Sequence, residues 1–218
     1  RHPSSGSAFL LNRSSELENY LSVAAMALIC WRIARANGSR AAAWHGFAAG
    51  LGHFALAMSW IVEPFFVEPE IYGWMAPFAL TLMAAGGALF WTVPAWLAAR
   101  LMPGFSRQGL GFAALIVLSD WLRGWIFTGL PWALSGHIWI ATPAGQLAAG
   151  LGAIGLSALT MLAAALPLAF WREVRSPLRA VLPGGVLSLL LIAAAWTGGM
   201  ARLVPPMPAD TALHQRLV

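Results

Sequence analysis

Asp120 and Arg123 are the charged residues of a short motif at the end of an otherwise apolar stretch, residues 110–127. A spacing of three residues puts both side chains on one face of a helix, where an acid and a base can form an ion pair. Pairing lowers the cost of placing charge at a membrane boundary. Two interpretations are open: a structural pair that fixes the end of the helix, or a contact for a lipid phosphate or an adjoining domain.

The residues after this pair break the helix and supply interfacial tryptophans. Gly129 permits an unusual backbone conformation and Pro131 fixes one. Tryptophans are expected at the level of the lipid headgroups, because the indole ring is apolar while its N–H needs a partner. The candidates for lining a lipid or substrate groove are Asp120, Arg123, Trp125, Thr128, Gly129, Pro131 and Trp132.

The remaining reactive side chains do not form a recognisable site. His45 and His53 share a helix face, but they lie about 12 Å apart along the helix, which is too far for one metal ion. Cys30, the single cysteine, lies in an apolar run without a base beside it, where a thiol is inert. We therefore predict no metal site and no cofactor.

The composition is that of an integral membrane protein. Of the 218 residues, 59% are hydrophobic and 10% are charged, whereas soluble domains carry roughly 25% charged residues. All 13 basic residues are arginines, and they lie scattered between apolar blocks. Such a distribution favours loop charges that set membrane topology over a surface that binds nucleic acid.

Apolar blocks of sufficient length predict an all-α, polytopic transmembrane helix bundle with about six spans. The blocks are residues 16–36, 41–62, 74–99, 110–127, 147–171 and 180–203. We expect a disordered or atypical N-terminal segment over 1–15, a transmembrane helical domain over 16–204, and a proline-rich periplasmic linker over 205–218.

Arginine counts predict the orientation of the bundle. Eight arginines cluster in 32–40, 100–109 and 172–179, whereas the alternate ends hold five. The rule that loops rich in positive charge stay inside therefore puts the first set in the cytoplasm and both termini on the outer face.

Small residues recur where helices could touch. Gly46, Gly50 and Gly52 lie in the second block, and Gly152 and Gly155 lie in the fifth. Because lipid supplies no hydrophobic force between helices, close backbone approach favours such residues, and helix packing is preferred here over a ligand groove.

Residues 119–132 resemble the apolipoprotein N-acyltransferases of bacterial inner membranes. The matching residues are Asp120, 122–125 and 128–132, and the similarity extends over about 41–218. The resemblance implies an eight-helix membrane protein with a periplasmic nitrilase-like domain, whose Glu-Lys-Cys triad takes an acyl chain from a phospholipid as a thioester. The acyl chain then passes from the thioester to the amine of a diacylglyceryl-cysteine on a lipoprotein, which completes a two-step nucleophilic transfer.

This sequence departs from that pattern in two ways. The first helix is missing or replaced by residues 1–15, and the chain ends where the catalytic domain would begin. Without a lysine no triad can be built, so we expect no catalytic residue and no activity in this chain alone. The expected partners are a phospholipid donor, a lipoprotein acceptor and membrane lipids. Two alternatives remain: a small transporter or channel with His45, His53 and Asp120 along its path, and a structural membrane anchor.

Overall fold

The computed structural model describes residues 5–126, 129–171 and 177–203, with the side chains of 19–126, 129–171 and 179–203. Every regular element in these ranges is a helix, which confirms the predicted all-α bundle. The α-helices are α1 (Ser5–Ala34), α2 (Ser39–Ala57), the single turn α3 (Pro69–Tyr72), α4 (Ala76–Leu101), α5 (Phe105–Arg123), α6 (Ala148–Ala169) and α7 (Pro177–Arg202). Short 3₁₀ helices span Ser59–Phe66, Gly73–Met75, Ser135–Trp139 and Pro143–Leu147.

Fewer helices than predicted are long and apolar enough to cross a membrane. Within the described residues these are Pro69–Leu101, Pro143–Ala169 and Arg179–Arg202, and α2 with Ser59–Phe66 adds a fourth if this pair, bent by 46°, is one span. The prediction of six spans is therefore wrong, and about four are supported. The part of α1 whose side chains the structure describes, Asn19–Ala34, is apolar but shorter than a span. α5 is too polar, because Arg107, Gln108, Asp120 and Arg123 lie on it.

α5 accommodates these polar residues because it packs against α1, α4 and α6. Its Gln108 side chain donates to the Ile33 carbonyl at 2.6 Å, and the Ser119 hydroxyl donates to the Phe90 carbonyl at 2.7 Å. A helix enclosed by other helices need not be apolar all round, provided that its buried polar groups are paired.

α2 and α4 pack along one another through small residues. A Cβ placed on Gly46 would lie 2.6 Å from Ala95 Cβ, and one on Gly50 would lie 2.9 Å from Ala88 Cα. Neither position has room for a side chain, so the two backbones approach closely, as small residues permit. The ring of Trp91, which is fully buried, fills the core beside this contact.

The other glycines named above show no such approach. Gly52 and Gly152 have open space around the position of a Cβ, and the nearest atoms to a Cβ on Gly155 belong to Leu151 of the same helix. Gly152 has φ 68° and ψ 177°, and α6 is kinked there. Its role in the fold is therefore conformational, because this backbone region favours glycine.

Several helix boundaries differ from the predicted ones. α1 begins at Ser5, so residues 5–15 lie in the same helix as the start of the first predicted span. α2 ends at Ala57, and the predicted span 41–62 continues through Met58 into the 3₁₀ helix Ser59–Phe66, which is bent by 46° from α2 and contains Pro64. The predicted linker 205–218 lies outside the described residues.

Candidate functional site

The end of α5 brings the charged pair next to the residues that follow it. The Leu130 N–H donates to the Arg123 carbonyl at 2.8 Å, and the Gly124 N–H donates to the Trp121 carbonyl at 3.1 Å. These bonds satisfy carbonyls that the end of a helix otherwise leaves unpaired. The chain consequently folds back over the end of α5, and residues 129–139 lie against it.

Asp120 and Arg123 form an ion pair that is buried inside the bundle. Arg123 Nη2 lies 2.8 Å from Asp120 Oδ1, and the two side chains are only 2–3% exposed. Removing one partner from such a pair leaves an uncompensated buried charge, which is strongly destabilising. The two residues therefore act as one unit.

Ser135 connects the ion pair to the 129–139 segment. Asp120 Oδ2 accepts one hydrogen bond from the Ser135 N–H at 3.1 Å and another from the Ser135 hydroxyl at 2.9 Å. Both carboxylate oxygens are thus occupied, one by α5 itself and the other by the segment that follows. Hydrogen bonds to an ionised group are stronger than neutral ones, so this connection holds the segment firmly.

Arg123 binds the same segment through backbone carbonyls. Its Nη1 donates to the Trp132 carbonyl, and its Nη2 donates to the Ala133 carbonyl at 3.3 Å. Its Nε is buried and has no hydrogen-bond partner among the described residues. Among the described residues, the Nε–H therefore remains an unpaired donor, whereas both Nη atoms form hydrogen bonds.

α2 holds the segment from the opposite side. His53 Nε2 lies 2.9 Å from the Ala133 carbonyl, and the His53 ring stacks on Trp91 with centroids 4.8 Å apart. The Arg123 guanidinium carbon lies 4.9 Å from the centre of the Phe54 ring, within the range of a cation–π contact. The Ala133 carbonyl thus accepts from helices α2 and α5 together.

Two residues in the segment adopt left-handed backbone conformations. Gly129 has φ 88°, and a Cβ there would lie 2.6 Å from the Gly124 carbonyl oxygen. Ala133 has φ 55°, which is uncommon for a residue with a side chain. The contacts of the Ala133 carbonyl compensate for this cost, because a strained residue persists only when its surroundings hold it.

The far end of the segment is anchored on α6. The Gly136 N–H donates to the Ser157 hydroxyl at 3.2 Å, and Trp139 Nε1 donates to Thr160 Oγ1 at 2.8 Å. The Trp139 ring is fully buried. Residues 129–139 are therefore fixed by side chains from α2, α5 and α6.

The tryptophans of the motif lie at the surface. Trp125 is 73% exposed and Trp132 is 49% exposed, and the Trp132 ring contacts Trp60 edge to face with centroids 4.8 Å apart. Pro131 is also exposed. Thr128 lies outside the described residues. The motif thus has a buried half, Asp120 and Arg123, which holds the 129–139 segment in place. Its exposed half is formed by Trp125, Pro131 and Trp132, which lie at the surface.

One apolar groove reaches the buried half of the motif. It lies between α4 and α5 and has a volume of about 580 Å³. Of the candidate groove residues in the described part of the chain, Arg123 lines it, whereas the two exposed tryptophans do not.

His137 is the titratable side chain of the segment itself. Partial burial lowers the pKa of His137, while the charge of Asp120 acts to raise it and that of Arg123 to lower it.

The contacts of Asp120 and His53 argue against a transport path through these groups, because both side chains are hydrogen-bonded to the 129–139 segment.

Sequence reasoning did not identify Ser135, His53 or Phe54 as parts of this site. Their roles depend on how residues 129–139 fold back, and no spacing along the chain encodes that. The one available signal was the density of small and aromatic residues after Arg123.

The chain is similar to known proteins over a region that contains the 129–139 segment. Residues 16–166 match the family model described as the apolipoprotein N-acyltransferase N-terminal domain. The chain is similar to the apolipoprotein N-acyltransferase of Caulobacter vibrioides, with 45% identity over 137 residues, which cover 62% of this chain and 26% of the relative. The chain is also similar to the apolipoprotein N-acyltransferase of Shewanella oneidensis, with 30% identity over 191 residues, which cover 84% of this chain and 35% of the relative. The identity to the apolipoprotein N-acyltransferase of Allorhizobium ampelinum is 36% over 136 residues, which cover 60% of this chain and 25% of the relative.

The matched part of the chain spans between 25% and 35% of the length of these relatives. The family model includes the ion pair, the 129–139 segment and the helices that hold them. The chain therefore belongs to the apolipoprotein N-acyltransferase family, whose N-terminal domain it carries.

Proposed function

We propose that this chain is the membrane domain of an enzyme that transfers an acyl chain from a phospholipid to the N-terminal amine of diacylglyceryl-cysteine in apolipoproteins. The shared family and the apolar helices support the proposal. The chain contains no lysine, so a Glu-Lys-Cys triad requires residues outside it. The chain by itself is expected to be inactive, and its task is to bring the lipid substrates to the reacting groups.

The observation that carries the proposal is the anchored 129–139 segment. Buried contacts with Asp120, Arg123 and His53 fix its backbone, while Trp132 remains exposed. A surface held in one conformation before a substrate arrives lowers the entropic cost of positioning that substrate. Such an arrangement suits a domain that presents lipids to a catalytic group.

The residues of the motif take different parts in this proposal. Asp120, Arg123 and Gly129 are positioning residues, because they shape the segment and do not reach its exposed side. Trp125, Pro131 and Trp132 form the surface that the lipid substrates contact. Thr128 is proposed to belong to the same surface.

We place the protein in the bacterial inner membrane, with both ends of this chain on the periplasmic side. The arginines in 32–40 and 100–109 support this orientation, since loops rich in arginine stay in the cytoplasm. This orientation requires α1 and α5 to cross the bilayer too, enclosed by the more apolar helices. The 129–139 segment and the end of α7 would then share the periplasmic face. A reporter enzyme fused after residue 203 tests this, and activity of a cytoplasmic reporter there would overturn it.

The activity is tested with the full-length protein that contains this chain. It is expressed in a bacterium whose own acyltransferase is depleted, and the mass of the N-terminal peptide of a lipoprotein is measured by mass spectrometry. A third acyl chain on that peptide is the expected result. Lipoproteins that stay diacylated, although the protein is present in the membrane, would contradict the proposal.

The proposed lipid contact is tested by Trp132→Ala in the purified full-length protein. We expect KM for the phospholipid to rise several-fold with little change in kcat, because the side chain contacts bound lipid and not the reacting atoms. The matched control is Trp74→Ala, which removes another exposed tryptophan outside the motif. Equal effects of the two variants would remove the special role of Trp132.

A further inference from the structure

We infer that the groove between α4 and α5 binds one acyl chain of a glycerophospholipid from the surrounding bilayer. The groove is open on one side and has a volume of about 580 Å³, within the range of about 300–1,000 Å³ that is typical of ligand sites. The inference rests on the apolar span that contains α4, and it does not require the acyl transfer proposed above.

The groove has the chemistry of a hydrocarbon site. Its polar lining side chains are Ser119 and Arg123, and the Ser119 hydroxyl already donates to a backbone carbonyl on α4. Leu82 is 73% exposed and Val93 is 54% exposed along its open side. Exposed apolar surface of this extent, on a helix that can span a membrane, is covered by lipid chains.

Two consecutive glycines make the groove concave. Gly87 backs onto the Phe54 ring of α2, which leaves no room for a side chain there. A Cβ on Gly86 meets nothing within 4 Å, so the space in front of it belongs to the groove. A flat helix face would contact lipids along many interchangeable directions, whereas this depression favours one chain in one place.

The dimensions of the groove fit a chain from one leaflet. Its lining on α4 runs from Leu82 to Leu97, which is about 22 Å along a helix. Half of the hydrocarbon core of a bilayer is about 15 Å thick. The groove is therefore longer than one leaflet is deep, and an acyl chain from that leaflet can lie entirely within it while its glycerol backbone stays at the interface.

Arg123 supplies a polar contact at the end of the groove where α5 ends. Its Nη atoms are already paired, and its Nε is a buried donor for which residues 19–126, 129–171 and 179–203 offer no acceptor. Because Arg123 lines the groove, we assign an ester or phosphate oxygen of the bound glycerophospholipid as the acceptor for this donor. Because Asp120 neutralises the guanidinium charge, the contact is a hydrogen bond, and the net charge of the headgroup should matter little.

The test is photolabelling of the full-length protein in nanodiscs, with traces of phosphatidylcholine or phosphatidylglycerol that carry a diazirine in mid-chain. Mass spectrometry locates the adducts. We expect labelling of 82–97 and 115–122 to exceed that of the exposed face of α7 several-fold, equally for both headgroups. Gly86→Leu, which fills the groove, should reduce it several-fold. Gly52→Leu is the matched control, because it adds the same side chain on α2 in open space.

Val93→Phe fills the groove from its open side and provides a second variant if Gly86→Leu does not fold, as judged by thermal unfolding. Labelling in proportion to exposure on all helices, or unchanged labelling in both variants, would mean contact with bulk lipid only and would overturn the inference. Preferred labelling by a diacylglyceryl lipopeptide that carries the same diazirine would also overturn it. Labelling is scored without acyl transfer, so a failure of the proposed activity leaves this result independent.

Discussion

Asp120→Ala should destabilise the bundle far more than the loss of an exposed carboxylate. The change removes the acceptor of three hydrogen bonds, from Arg123 Nη2 and from the amide and hydroxyl of Ser135. The guanidinium stays charged because it does not lose its proton in proteins, so it remains buried without a counterion. Breaking a buried pair by removing one partner costs about 3–5 kcal/mol, and we expect the free energy of unfolding to fall by that amount.

The measurement is the free energy of unfolding of the full-length protein in lipid bicelles by steric trapping. The control is Glu63→Ala, which removes an exposed carboxylate and should change that free energy by less than about 0.5 kcal/mol. The double variant Asp120→Ala with Arg123→Met should cost less than the sum of the two single variants, because it leaves no unpaired charge. Strict additivity, or an effect of Asp120→Ala no larger than that of the control, would refute the reasoning.

Three further changes follow from the geometry. Gly50→Leu drives a side chain into the backbone of Ala88 and should lower the thermal midpoint by several degrees, whereas Gly52→Leu should leave it nearly unchanged; equal midpoints would contradict the packing. Gly129→Ala adds a Cβ at φ 88° and should cost about 1 kcal/mol or more, measured by the same unfolding assay, and a neutral result would contradict the turn geometry. Because burial lowers the pKa of His137 in the folded state, its contribution to stability is present above the unfolded value of 6.5 and falls as the pH drops below it; His137→Gln should reduce that pH dependence of the thermal midpoint, and an unchanged profile would count against it.

The helical class of the protein was predictable because apolar blocks dominate the sequence. The spacing of Asp120 and Arg123 likewise predicted their ion pair, since helix geometry alone brings such residues together. The number of spans was not predictable in this way. Each block was counted by its length, whereas α5 is too polar to qualify by itself and lies among other helices.

The deeper parts of the site depend on contacts between distant residues. Ser135 reaches Asp120 only because residues 129–139 turn back at Gly129 and Ala133. The left-handed conformation of Ala133 could not be inferred, because alanine has no preference for it. His53 was considered as a metal ligand or a transport group, and its actual contact is a backbone carbonyl on another element.

The polarity of α5 has a consequence for how the protein is made. A segment with Asp120 and Arg123 near one end and Arg107 near the other enters lipid poorly by itself, since each such residue opposes insertion. Its more apolar neighbours α4 and α6 can enter first or together with it and offer partners for its side chains. During synthesis, stable insertion of α5 would therefore require that α6 has also been synthesised. If translation stalled before residue 169, α5 would remain accessible to quality-control proteases.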